Sequence, residues 1–160
     1  MRKHTALFTI LFLSIFLCLQ TKTVKAQADT DNGGNFGVGF MAGEPTGVSI
    51  KNWNNEFTAI GIGAAWSLTG RNEALHLHLD YLAHSWFEEV ENRGLNFYYG
   101  LGVRTIFADD PKIGARIPIG LNYVFQSVPF DLFVEAVPIL DFTPDVEFAG
   151  NGAFGIRYYF

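Results

Sequence analysis

The chain reads as all-β, an eight-stranded antiparallel up-and-down transmembrane β-barrel, and three observations predict it. Beyond Leu19 no uninterrupted apolar run comes near the roughly 20 residues that a spanning helix needs, although 49% of the 160 residues are hydrophobic and 16% aromatic. In place of a helical period, segments of about ten residues alternate in polarity with a period of two, separated by Gly, Asn, Asp and Pro. The third observation is the closing run. Phe154, Ile156, Tyr158 and Phe160 share one face, and Gly155, Arg157 and Tyr159 share the other. Such a strand is expected to close a sheet, and its aromatic end has the form of an outer-membrane insertion signal.

The first element is a targeting segment. Arg2 and Lys3 precede an apolar run from Ala6 to Leu19, and small residues follow at Val24-Lys25-Ala26 and Ala26-Gln27-Ala28. Residues 1–26 are therefore expected to be an export signal for the Sec pathway, with cleavage after 28 as the alternative. Cys18, the only cysteine, lies inside this run, and Leu17 before it argues against lipid attachment. The processed chain would carry no thiol, so a disulfide, a cysteine-based zinc site and a cysteine nucleophile are excluded. Residues 27–34 form a polar opening, and 35–160 are expected to be the barrel.

Eight strands are expected near 35–43, 46–54, 56–67, 74–86, 95–107, 113–125, 130–142 and 147–160. Eight is the smallest usual number for a membrane barrel. The first two meet at Glu44-Pro45-Thr46-Gly47, a tight turn in which Pro presets its dihedral angle and Gly permits positive φ. In the fourth, Leu75, Leu77, Leu79 and Tyr81 oppose His76, His78, Asp80 and His84. In the fifth, Phe97, Tyr99, Leu101 and Val103 oppose Asn96, Gly100, Gly102 and Arg104. The sixth sets Ile113, Ala115, Ile117, Ile119, Leu121, Tyr123 and Phe125 against Gly114, Arg116, Gly120 and Asn122. The seventh sets Leu132, Val134 and Ala136 against Asp131 and Glu135.

Alternation alone does not say which face looks inward. A soluble barrel turns its charges outward, and a membrane barrel reverses this. The reversed arrangement is expected here, because the apolar faces persist over nearly all strands and have aromatic ends suited to a membrane interface. The opposite faces are rich in Gly and poor in charge, which makes a poor solvated surface and a good narrow lumen.

That lumen is expected to hold Lys51, Arg104, Arg116 and Arg157 as cations and Asp80, Asp131 and Glu135 as anions, paired with one another, with His76 and His78 in the same network. Gly37, Gly39, Gly61, Gly63, Gly100 and Gly102 would make room for side chains reaching across. A plugged cylinder follows. His76, His78 and Asp80 could bind a metal, but hydrogen bonding within the lumen is the preferred reading and no metal is assigned. Gly37 to Gly43 lacks phosphate-loop spacing, and His84 and Ser85 point to opposite faces, so no catalytic residue and no cofactor are assigned. The net charge of -5 and the absence of Lys/Arg clusters exclude nucleic acid as partner.

With an even strand number both ends of the barrel chain lie on the periplasmic side. The connections near Gly43–Thr46, Leu68–Glu73, Ala108–Lys112 and Thr143–Val146 would then be extracellular and short, and Phe87–Gly94, with Glu88, Glu89 and Glu91, periplasmic.

The runs Gly39 to Gly47 (GFMAGEPTG), Leu77 to Leu82 (LHLDYL), Tyr98 to Val103 (YYGLGV), Ile113 to Gly120 (IGARIPIG) and Gly155 to Phe160 (GIRYYF) resemble a family of small outer-membrane proteins of undefined function patterned on the OmpA transmembrane domain. The resemblance spans the whole processed chain and implies the eight-stranded barrel without supplying catalytic residues. Pro118 and Pro138 depart from an ideal barrel strand, and a bulge or a strand end is expected at each. The expected protein is a monomeric, non-enzymatic structural barrel in the outer membrane of a diderm bacterium. Its partners would be outer-membrane lipid, periplasmic chaperones and the barrel-assembly machinery. A surface receptor or adhesin acting through the outer loops, a lipid-modifying barrel enzyme and a narrow gated channel are the rival readings.

Overall fold

The computed structural model describes residues 34–44, 46–66, 74–87, 94–108 and 110–160. The expected export signal, the polar opening up to residue 33, the Leu68–Glu73 connection, Pro45 and the three glutamates after Phe87 lie outside them. Alternation between bulky apolar and small or polar residues produces nine strands: β1 (Phe36–Glu44), β2 (Thr46–Asn55), β3 (Thr58–Trp66), β4 (Leu75–Trp86), β5 (Leu95–Phe107), β6 (Lys112–Arg116), β7 (Ile119–Val124), β8 (Phe130–Thr143) and β9 (Glu147–Tyr159). Each pairs antiparallel with its neighbours, and β9 returns to β1 to close the ring. No helix among the described residues is long and apolar enough to cross a membrane.

The ring has eight staves, because β6 and β7 are halves of one. Both pair with β5 and β8 in a single register: Arg116 faces Ile139 and Ile119 faces Ala136. The expected unbroken sixth strand, 113–125, is thus corrected to two segments. The cause is Pro118, which has no N–H to donate. Its carbonyl still accepts from the Gly100 amide at 2.9 Å, and the Ile117 amide donates to the Pro138 carbonyl at 3.0 Å. Each proline deletes one bond of a pair and keeps the other. The strand end expected at Pro118 is found, whereas neither the bulge nor the strand end expected at Pro138 is, since that residue sits inside β8 opposite Gly150 in unbroken register. The irregularities fall elsewhere, between Trp53 and Asn55 and between Ile113 and Gly114.

The turn between β1 and β2 differs from expectation as well. Gly43, with φ 138°, supplies the positive dihedral angle, whereas Gly47 stays in the ladder opposite Met41. The Thr46 hydroxyl braces the turn, donating to the Gly43 carbonyl at 3.0 Å.

Closure sets the tilt. Stepping across paired positions from Arg157 through Gly39, Ser49, Gly63, His78, Arg104, Gly114 and Asp141 returns to β9 at Glu147, ten residues from the start by subtracting 147 from 157. A shear of ten over eight staves corresponds to strands inclined at roughly 40° to the axis, each residue climbing about 2.5 Å. The wall top therefore rises like a staircase from β1 to β9.

The outward face is predominantly apolar, with Asn52 and Ser85 among its few exposed polar positions. Phe40, Leu79, Leu101, Val134, Phe154 and Ile156 are all exposed, while their strand neighbours point into the lumen. Missing side chains create the interior space. A Cβ on Gly63 would overlap the His78 ring, one on Gly102 the Asp80 carboxylate, and one on Gly37 the Tyr159 ring.

Candidate functional site

The interior polar network follows from parity. On β8 the odd positions Asp131, Glu135 and Asp141 point inward with Phe133, Val137 and Ile139 between them. Facing staves contribute cations at matching heights, and three tiers result.

In the upper tier the Arg104 guanidinium forks onto Asp141, with Nε donating to Oδ1 at 2.9 Å. In the middle tier Arg116 lies between two carboxylates. Its Nε is 3.1 Å from Asp80 Oδ1, close in distance without hydrogen-bond alignment, and its terminal nitrogen donates to Glu135 Oε1 at 3.2 Å. The Tyr98 hydroxyl donates to the other Glu135 oxygen at 3.0 Å. In the lower tier Arg157 Nε and its terminal nitrogen donate to Asp131 at 3.0 and 2.9 Å, and the Tyr159 hydroxyl donates to the same carboxylate at 2.7 Å. The second terminal nitrogen reaches Ser49 Oγ at 3.3 Å, and the guanidinium lies 4.1 Å over the Phe133 ring. A planar fork suits such two-pronged pairing better than an ammonium point charge does.

Lys51 departs from expectation. It is fully buried, yet its ammonium donates to the Asn122 side-chain carbonyl at 3.2 Å and lies 4.0 Å over the Trp53 ring, with no carboxylate partner among the described residues. Nearby, Asp131 accepts from Arg157 and Tyr159, and Glu135 from Arg116 and Tyr98. The lumen still balances, with four cations against Asp80, Asp131, Glu135 and Asp141. Below Lys51 the Trp53 ring packs against His84, centroids 4.3 Å apart, and against Trp86.

Of the sequence-derived candidates, Arg157 meets Asp131, Arg116 lies between Asp80 and Glu135, and Arg104 meets Asp141, which is not one of them. His78 stands 3.9 Å from Asp80 without a hydrogen bond, and His76 makes no hydrogen bond or ion pair among the described residues. No three His, Cys, Asp or Glu side chains there converge as a metal site. His84 is buried and Ser85 exposed on opposite faces. Asp141 was not among the expected anions, although its even spacing from Asp131 and Glu135 carried the signal. The inward parity of Tyr159 and Asn122 is legible beside Arg157 and Arg116, but their roles, like those of Tyr98 and Phe133, depend on cross-lumen partners. Phe154, Ile156, Tyr158 and Phe160 all point outward, and Tyr158 makes edge contacts with Phe130 and Phe160.

Fold and interior together define a closed eight-stave antiparallel barrel with a polar, charge-balanced interior and an apolar exterior. The chain is structurally similar to the N-terminal β-barrel domain of Pseudomonas aeruginosa OprF, with a TM-score of 0.58 at 15% identity, over 81% of this chain and all of that domain. The resemblance is one of fold. No protein-family model and no curated protein matches the chain.

Proposed function

We propose that the chain is a structural β-barrel of the outer membrane of a diderm bacterium, without catalytic activity, its lumen closed by ion pairs. The observation that carries this reading is the inside-out distribution of side chains: apolar residues cover the outside, while Asp131, Arg157, Lys51 and Arg116 are almost wholly shielded within. A water-exposed exterior of this kind would be an aggregation liability, whereas a closed ring of strands pairs its backbone groups internally, as crossing lipid requires. The outward band from Phe36 and Tyr158 up to Trp66 climbs roughly 20 Å along the tilted strands, close to the apolar height of outer-membrane barrels. Export by the Sec route, the aromatic terminal strand as an assembly signal, and chaperones and assembly machinery as partners belong to the same reading.

Fractionation tests the address: the processed protein should sediment with outer membranes and run as a compact, heat-modifiable band, and a detergent-free soluble monomer would overturn the reading. Planar bilayers test the closed lumen. Negligible current is expected for the native chain and after Arg104→Gln or Glu135→Gln, and a stepwise rise in either variant would instead establish a narrow gated channel.

A further inference from the structure

The staircase at the top of the wall leaves one strand edge open. Pairing of β1 with β9 ends at Glu44 opposite Gly152, but β9 continues to Glu147 with β8 alone beside it. Among the described residues, 147–151 consequently have no neighbour on the β1 side, on a stretch that ends roughly 10 Å above Glu44 along the axis. The direction of the free groups follows from the other end of β9, where the Tyr159 amide donates toward β8 and the Phe160 amide toward β1. Register is unbroken between, so the even positions Phe148 and Gly150 direct their N–H and C=O groups into the opening. Their side-chain faces are open too: Phe148 is 85% exposed, and a Cβ on Gly150 would meet nothing within 4 Å.

We propose that this ledge, above the β1–β2 turn and beside the upper half of β9, binds an extended segment of another polypeptide by strand addition. Its biological meaning rests on the outward orientation proposed above, but the edge itself can be tested in detergent. Strand addition matches the chemistry, because an incoming backbone supplies donors and acceptors at the ladder spacing, and Phe148 offers an apolar anchor for alternate side chains. Lipid chains cannot satisfy backbone groups. A second copy does not fit either. Antiparallel pairing of two β9 edges requires a two-fold axis normal to the sheet, which lies in the membrane plane and would invert one of the copies.

The test is selection of linear heptapeptides from a display library on the detergent-purified barrel, followed by amide exchange. Selected peptides should alternate β-branched or aromatic residues with polar ones, and should slow exchange at the Phe148 and Gly150 amides. Gly150→Pro removes only the edge donor, and should weaken these peptides about tenfold or more. Phe148→Lys, which leaves the backbone intact, should weaken them as well and covers the case in which the proline variant does not fold. The proposal is overturned if those two amides are already protected in the free barrel, if no alternating peptide emerges, or if both folded variants bind like the native chain. Failure of fractionation would count against the membrane address and leave these results independent.

Discussion

Asp131→Ala is expected to destabilise the barrel by about 3–5 kcal/mol, the cost of leaving a buried cation without its partner. Asp131 is fully buried and receives hydrogen bonds from Arg157 and Tyr159. Its removal strands a guanidinium that is itself 5% exposed and leaves Ser49 Oγ at 3.3 Å as its remaining hydrogen-bond acceptor. The paired change Asp131→Leu with Arg157→Met should recover most of the loss, because apolar groups of similar volume often replace buried ion pairs without penalty. Urea unfolding of the barrel refolded in detergent micelles gives both numbers. A single-variant loss under about 1 kcal/mol, the scale of a solvated surface pair, would mean that water reaches this tier. By the same scale Lys112→Ala, which breaks the exposed 2.7 Å contact with Glu147, should change stability by less than about 1 kcal/mol.

The second large effect lies at the closing seam. Gly39 faces Arg157 across the β1–β9 junction, where an added Cβ would overlap the Ile156 carbonyl and the Arg157 Cα. Backbone on both sides cannot retreat without breaking the ladder, so Gly39→Ala should cost about 3 kcal/mol or more. Gly150→Ala is the control, since its Cβ would meet open space, and should stay within about 0.5 kcal/mol. The fraction migrating as the compact band on an unheated gel separates the two. Equal yields would show that the seam relaxes and that closure does not depend on the missing side chain.

Most of the ring was legible because strand alternation is a local property. Leu75 to Tyr81 and Ile113 to Leu121 each announce an apolar face without reference to any neighbour, and a two-residue period admits only two choices of which face looks out. The lumen cations were legible for the same reason, since Arg104, Arg116 and Arg157 each follow a glycine two residues earlier on the inward parity. Partner identity was harder. Arg104 meets Asp141 rather than a nearer anion in sequence because inclined staves bring residues from different heights to the same level. Lys51 meets Asn122 and the Trp53 ring, contacts across the lumen that its own strand does not announce. Of the two prolines, Pro118 falls at the expected strand end, whereas Pro138 stays inside β8, because losing one bond of a pair leaves the register intact when both flanking staves hold it.

By itself the sequence determined the class of architecture, the number of staves and which side chains share a face, because segment count and pleat are local, and the recurrence of an apolar face on nearly every strand chose which of the two looks outward. The tertiary structure alone decided the shear, and with it which charges meet, where the seam closes and which edge remains unpaired. Those depend on the offset accumulated around a closed ring, a quantity that no individual segment contains.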